Sequence, residues 1–209
     1  MNNQKEVVVI LPGLWLPYWA MYLLRRRIKD AGYEAHVFRY HTVIHSLEQN
    51  ATRLNTFLKD IDADVIHLVS QSLGGIVIRA MFHYFPEQKP GRIVTFVPPH
   101  LGTYTGWFYS RFALGRWLLG KGIMQIVRGG IQSWTTPLRE IGVIAGDKRL
   151  GLGLLAPGLP KPNDGVVAVT ETMLPGIADH IVVLTGHTPS VWSKAVAVKV
   201  VTFLQAGYF

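Results

Sequence analysis

The chain has 209 residues, 49% hydrophobic and 11% aromatic. That is enough for one sizeable core, and no repeat, linker or low-complexity tract divides it, so a single domain over 1–209 is expected. It has no cysteine, which excludes a disulfide framework, a thiol nucleophile and a thiolate metal site and fits a reducing, cytoplasmic setting. Lys and Arg number 21 against 13 Asp and Glu, a net charge of +8, on a chain only 16% charged. The cations form no dense segment beyond Arg25-Arg26-Arg27 with Lys29, at a helix end where cations suit the dipole. No nucleic-acid partner is therefore expected, and an apolar, basic surface suits anionic headgroups or oily substrates, with peripheral contact to the inner membrane face as one outcome.

Val7–Leu24 carries no charge and precedes three arginines, so a membrane anchor is the first reading to weigh. Pro12, Gly13 and Pro17 break it into a strand Val7–Leu11, a loop Leu11-Pro12-Gly13-Leu14-Trp15 and a helix from about Pro17. No lysine-rich start or small-residue cleavage site of signal-peptide type is present. Glu34–Tyr40 reads as a second strand after the Ala31-Gly32 stop. Ser46-Leu47-Glu48-Gln49 is a capping-box start to a helix with Leu47, Ala51, Leu54 and Leu58 on one face. His36, His41 and His45 lack metal-ligand spacing, so no metal site is expected from them.

Val65–Gly75 organises the rest. An apolar, β-rich run, Val65–Val69, enters Ser70-Gln71-Ser72-Leu73-Gly74-Gly75 and then a helical stretch to Tyr84. Strand, tight turn and helix around a serine make a nucleophile elbow, in which small residues two before and two after the serine let strand and helix pass closely. Ser70 stands where glycine usually does.

Arg92–Val97 is a further strand, ending in Pro98-Pro99-His100-Leu101-Gly102-Thr103. Leu101–Trp134 then breaks the strand–helix rhythm with Trp107, Phe108, Tyr109, Phe112 and Trp117 among Arg111, Arg116, Lys121 and Arg128. It reads either as a short cap or lid at a water–lipid interface or as a peripheral helix pair packing its aromatics inward. Strands resume at Ile141–Ala145 and His180–Leu184, the second followed by Thr185-Gly186-His187-Thr188 and a helix from about Ser190 to Gln205, closed by Gly207. Two carboxylates compete as partner to His187. Asp147 directly follows a strand, whereas Asp164 sits in Asn163-Asp164-Gly165, a turn anchored by Val166-Val167-Ala168-Val169.

These phrases together resemble the α/β-hydrolase superfamily, in particular its small bacterial lipase- and esterase-like members. The elbow, the Pro-His-x-Gly-Thr turn, Asn-Asp-Gly-Val-Val-x-Val-x-Glu-Thr, Asp-His-Ile-Val and the closing Gly-His-Thr carry the likeness over nearly the whole chain; it departs at Ser70, at Gln71 and at Pro12, where such hydrolases carry His. The resemblance implies an α/β fold with a mostly parallel central sheet, helices on both faces and a short cap at 101–134. It implies a serine carboxylic ester hydrolase with Ser72 as nucleophile, Asp164 as acid and His187 as base. Leu14 and Leu73 N–H groups would form the oxyanion hole, and Trp15, His100, Trp107, Phe108 and Trp117 would line the pocket or lid. His100 is expected to shape the pocket wall structurally, not to act as the base. The expected partner is a small-molecule or lipid ester, and no metal or organic cofactor is implied. A thioesterase or acyltransferase using the same triad, or a non-catalytic relative that binds a membrane or partner, are the alternatives.

Overall fold

The structure, a computed structural model, describes residues 4–209. Its frame is a six-stranded sheet of β1 (Glu6–Leu11), β2 (Glu34–Val37), β3 (Val65–Gln71), β4 (Ile93–Phe96), β5 (Ile141–Gly146) and β6 (Asp179–Val183), in the order β2-β1-β3-β4-β5-β6. Every neighbouring pair is parallel, so the expected mostly parallel sheet is wholly so. The continuous apolar runs of β1, β3 and β5 follow from burial on both faces. Val7, Val9 and Leu11 enter one core layer with α2 (Leu47–Lys59) and α3 (Leu73–Tyr84). Val8 and Ile10 enter the other with α1 (Tyr22–Asp30) and α6 (Lys194–Ala206). Helices thus cover both faces, the architecture that crossover connections between parallel strands enforce.

Local signals fixed most of these elements. At the start of α2, Gln49 N donates to Ser46 Oγ at 3.1 Å and Ser46 N to Gln49 Oε1 at 2.9 Å, a complete capping box. Gly207 ends α6 at φ 82°. The uncharged run 7–24 is a strand, a loop and one 3₁₀ turn, Tyr18–Met21, leading into α1. Among the described residues no helix is long and apolar enough to cross a membrane. Strand β2 stops at Val37, short of the expected Tyr40. There Phe38 N still reaches Ile10 O, and Tyr40 turns in so that its hydroxyl donates to Pro12 O at 2.5 Å.

Segment 101–134 folds as α4 (Tyr104–Ser110) and α5 (Ala113–Val127), the latter broken at Gly120, whose φ of 72° admits no straight helix. The segment divides into a packed part and an exposed part. Leu119, Ile123, Ile126, Ile131 and Trp134 pack into the α2–α3 layer, while Trp107, Phe112, Leu114 and Trp117 stay exposed. Gly120 marks the boundary. A Cβ there would fall 2.3 Å from Val43 O, and the next residue's N–H donates to that same carbonyl.

The roots of this excursion are held by one buried cation. Arg79, on the inner face of α3, donates from one amino group to His100 O at 2.7 Å and from the other to Ile131 O and Trp134 O at 3.2 and 3.3 Å. Burial lowers its pKa to about 10, which leaves it charged at neutral pH. The planar fork of arginine spreads its donors over two amino nitrogens and so reaches carbonyls on both sides, whereas lysine concentrates its three donors on one nitrogen. Arg79→Met leaves those carbonyls unpaired but also removes a buried charge. The expected net result is a loss of roughly 1–3 kcal/mol of unfolding free energy, measured by urea denaturation, with Arg79→Lys recovering only part of it.

Candidate active site

Because all six strands run the same way, the loops leaving their C-terminal ends share one edge of the sheet, and Ser72 stands on the loop leaving β3. Its backbone adopts φ 51° and ψ −121° between strand and helix. Trp15 (φ 58°) and Val97 (φ 51°) share the positive φ, on the exits of β1 and β4. For bulky or β-branched residues such angles are genuine outliers, and their clustering on one edge marks where the fold carries strain.

The strand–helix turn is possible because its neighbours are small. A Cβ on Gly74 would meet Leu11 Cβ, Leu11 O and Pro12 O, each at 3.0 Å. A Cβ on Gly13 would lie 1.8 Å from Gln71 Oε1 and 3.0 Å from Ser72 Cβ. The Pro12–Leu14 loop therefore lies directly against the elbow, with Leu14 inside the turn closed by Leu16 N to Gly13 O at 3.3 Å. Leu73, the first residue of α3, has no helical carbonyl one turn back for its N–H. Ser70 is fully buried and its hydroxyl has no partner, a cost that glycine at this position would not incur.

Three distant segments meet at Ser72. His187, on the loop after β6, holds its Nε2 at 3.0 Å from Ser72 Oγ and its Nδ1 at 2.7 Å from Asp164 Oδ2. With Nδ1–H donating to the carboxylate, Nε2 carries the free lone pair that accepts from Ser72 Oγ–H. Asp164 is only 1% exposed, and its other oxygen, Oδ1, accepts from Val166 N at 2.8 Å and Val167 N at 2.7 Å. The two valines of the Asp-Gly-Val-Val phrase thus pin the carboxylate through their backbones, and Asp164 O receives His187 N at 3.0 Å. Asp147 is solvent-exposed. The end of β5 still serves the acid, because a Cβ on Gly146 would fall 2.8 Å from Asp164 Cβ: the later loop folds back to the strand end that Asp147 leaves.

Two supports escaped the sequence reading. Gln71 Nε2 donates to His187 O at 3.3 Å within the core, and the same carbonyl accepts Ser190 Oγ–H at 2.6 Å. The departure from the family pattern at Gln71 therefore joins the β3 turn to the histidine loop. Glu171 accepts from Ala168 N at 2.8 Å and from Tyr104 N, tying the Asp164 loop to α4, and burial raises its pKa. Thr105 Oγ–H to Val166 O at 2.6 Å reinforces that seam. The Glu-Thr ending of the Asp164 phrase was the available signal for Glu171; nothing local pointed to Gln71.

The remaining sequence candidates divide. Trp15, half exposed, donates Nε1–H to Leu118 O at 3.0 Å and so links the β1 exit loop to α5. Trp107 and Trp117 are exposed, and Phe108 is half-buried against Tyr109 and Phe112. His100 is buried and its ring forms no open wall. It is buried against Gly75, its Nε2 is 3.1 Å from Thr95 Oγ1, and burial beside Arg79 drives its pKa to about 3.

Since Gln71 is held by His187 O, it has little freedom to yield to a new methyl at Gly13. Gly13→Ala is expected to cost about 1–3 kcal/mol, and Gln71→Ala to relieve much of that cost. A double-mutant cycle by chemical denaturation checks this, and additive losses would show that the two do not touch.

No protein-family model and no curated protein sequence matches the chain. Solved structures do. The mature form of the Bacillus licheniformis lipase BlEst2 superposes with a TM-score of 0.81 at 19% identity, over 100% of this chain and 94% of that one. The metagenomic carboxyl esterase MGS0156 gives 0.71 at 14% identity, over 89% of this chain and 65% of that one. A pyrethroid hydrolase from Sphingobium faniae gives 0.67 at 10%, over 96% and 98%. Superposition of this quality at such low identities, together with the parallel sheet covered by helices on both faces, shows an α/β-hydrolase fold.

Proposed function

We propose that the protein is a serine hydrolase of carboxylic esters. The observation that carries this is the hydrogen-bonded chain from Ser72 Oγ through His187 to Asp164, spanning 3.0 and 2.7 Å and assembled from three loops on one sheet edge. Ser72 Oγ attacks the ester carbonyl as its proton passes to His187 Nε2. The imidazolium returns that proton to the departing alkoxide, leaving an acyl group on Ser72. Water, deprotonated by the neutral His187, then releases the acid and regenerates the serine. Asp164 holds the tautomer and stabilises the cation, which its two backbone hydrogen bonds on Oδ1 leave it oriented to do. Leu14 and Leu73 N–H stabilise the tetrahedral oxyanion; removing one such donor in comparable sites costs on the order of 10²–10³ in kcat.

The substrate is a small-molecule or lipid ester, with segment 101–134 as a cap and Trp15, Trp107, Phe108 and Trp117 as its apolar lining. The solved neighbours described as lipase, carboxyl esterase and pyrethroid hydrolase support the ester reading. The same triad accepts a thioester, and relative rates on matched oxygen and sulfur esters separate the two leaving groups.

A fluorophosphonate should attach covalently to Ser72 and not to Ser70, read by peptide mass spectrometry; an adduct on Ser70, or none on active protein, would overturn the assignment. Asp164→Asn should lower kcat by about 10⁴, through the wrong His187 tautomer, with the fold intact by circular dichroism. Asp147→Asn should stay near wild type, and the reverse pattern of rates would move the acid to Asp147.

A further inference from the structure

The surface around Ser72 is chemically unlike the opposite edge of the sheet. Large apolar side chains stand out from the loops that leave the strand ends beside it. Phe112, Leu114 and Trp117 (73% exposed) lie in the cap after β4, Leu154 and Leu155 (72%) in the loop after β5, and Leu184 (78%) directly after β6. These loops form one continuous rim. Tyr109 of the cap donates its hydroxyl to Leu152 O at 2.9 Å, and Lys148 N donates to Thr185 O at 3.1 Å, beside Leu184. Ser72 sits within this rim and is 6% exposed.

Acids are sparse in the same loops, while cations are found at both edges. No Asp or Glu occurs at 88–139 or at 148–163, whereas Arg111, Arg116 and Lys121 in the first stretch and Lys148 and Arg149 in the second supply cations. Most carboxylates lie at the other edge, with exposed Asp147 beside Lys148 the exception on the rim. Glu6, Glu34 and Asp179 open β1, β2 and β6, Glu140 precedes β5, and Asp62 and Asp64 precede β3. An isolated exposed leucine is ordinary, but an apolar rim with interleaved cations and only Asp147 as an exposed acid beside them is a docking surface for something apolar and negative. A second copy seated on the same face would set cation against cation, so self-association through it is disfavoured.

We infer that this rim docks on an anionic lipid bilayer, seating the Ser72 crevice against the membrane, so that the esters it receives are lipid esters entering from the membrane plane. The inference rests on the ester-hydrolase reading for its substrate but not for the docking itself. The rim is already exposed, so docking requires no movement of the cap: the leucines enter the headgroup–acyl boundary while the cations meet phosphate.

The test uses the full chain carrying Ser72→Ala, which cannot consume the vesicles. It should sediment with phosphatidylglycerol-containing vesicles and not with pure phosphatidylcholine, and binding should fall steeply as salt rises. Leu154→Ser with Leu155→Ser should weaken vesicle partitioning at least about tenfold. In the Ser72 protein the same pair should leave hydrolysis of a short soluble ester unchanged. Equal binding to both vesicle types, no binding at low salt, or wild-type partitioning by the leucine variant would overturn the inference, as would a dimer in light scattering that the leucine variant dissolves. Failure of the ester reading registers separately, as absent fluorophosphonate labelling of a protein that still binds vesicles.

Discussion

Everything at the site depends on the chain reversing from strand to helix at Ser72, a conformation at φ 51° and ψ −121° that non-glycine residues rarely adopt. Strain of this kind costs on the order of 1–3 kcal/mol and persists only where packing over-determines it. Here the packing is visible. Gly74 presses on Leu11 and Pro12, Gly13 lies on Gln71 and Ser72, and Ser72 N is tied to Phe96 O at 3.0 Å. The reward is that the serine side chain leaves the layer of the sheet and meets a histidine from a different strand exit.

Around this turn the protein invests in buried polar anchors instead of a wholly apolar core. Arg79 binds three carbonyls at the two ends of segment 101–134, Gln71 binds the carbonyl of His187, and Glu171 binds the Asp164 loop to α4. Each joins segments far apart in sequence and leaves unpaired groups if removed, which is why single anchors of this type carry more positional information than equivalent apolar contacts. Loops positioned this way behave as extensions of the sheet, and a catalytic geometry built on loops needs that rigidity. The edge that bears the strain also bears the apolar rim with its cations, so the Ser72–His187–Asp164 cluster and that rim face the same direction.

Much of this was legible in the sequence because it is local. Apolar runs of Val and Ile gave the parallel strands, Ser46 with Gln49 gave the start of α2, Gly207 the end of α6, and Ser72 between its small neighbours the elbow. Propensity, capping and turn chemistry act within a few residues and so can be read without the fold. The sequence by itself thus determined the α/β architecture and the residue types from which the site is drawn.

Only the tertiary structure decided how they meet. Whether Asp147 or Asp164 faces His187 turned on the return of a loop to Gly146, a contact across 23 residues from acid to histidine. The role of Gln71 depended on a partner 116 positions away. Which half of segment 101–134 is buried was settled at Gly120, where the backbone of Val43 leaves no room for a side chain. The physical reason is common to all three: strand order fixes which loops become neighbours, and that order is set by the pairing of whole strands, which no short stretch of residues encodes.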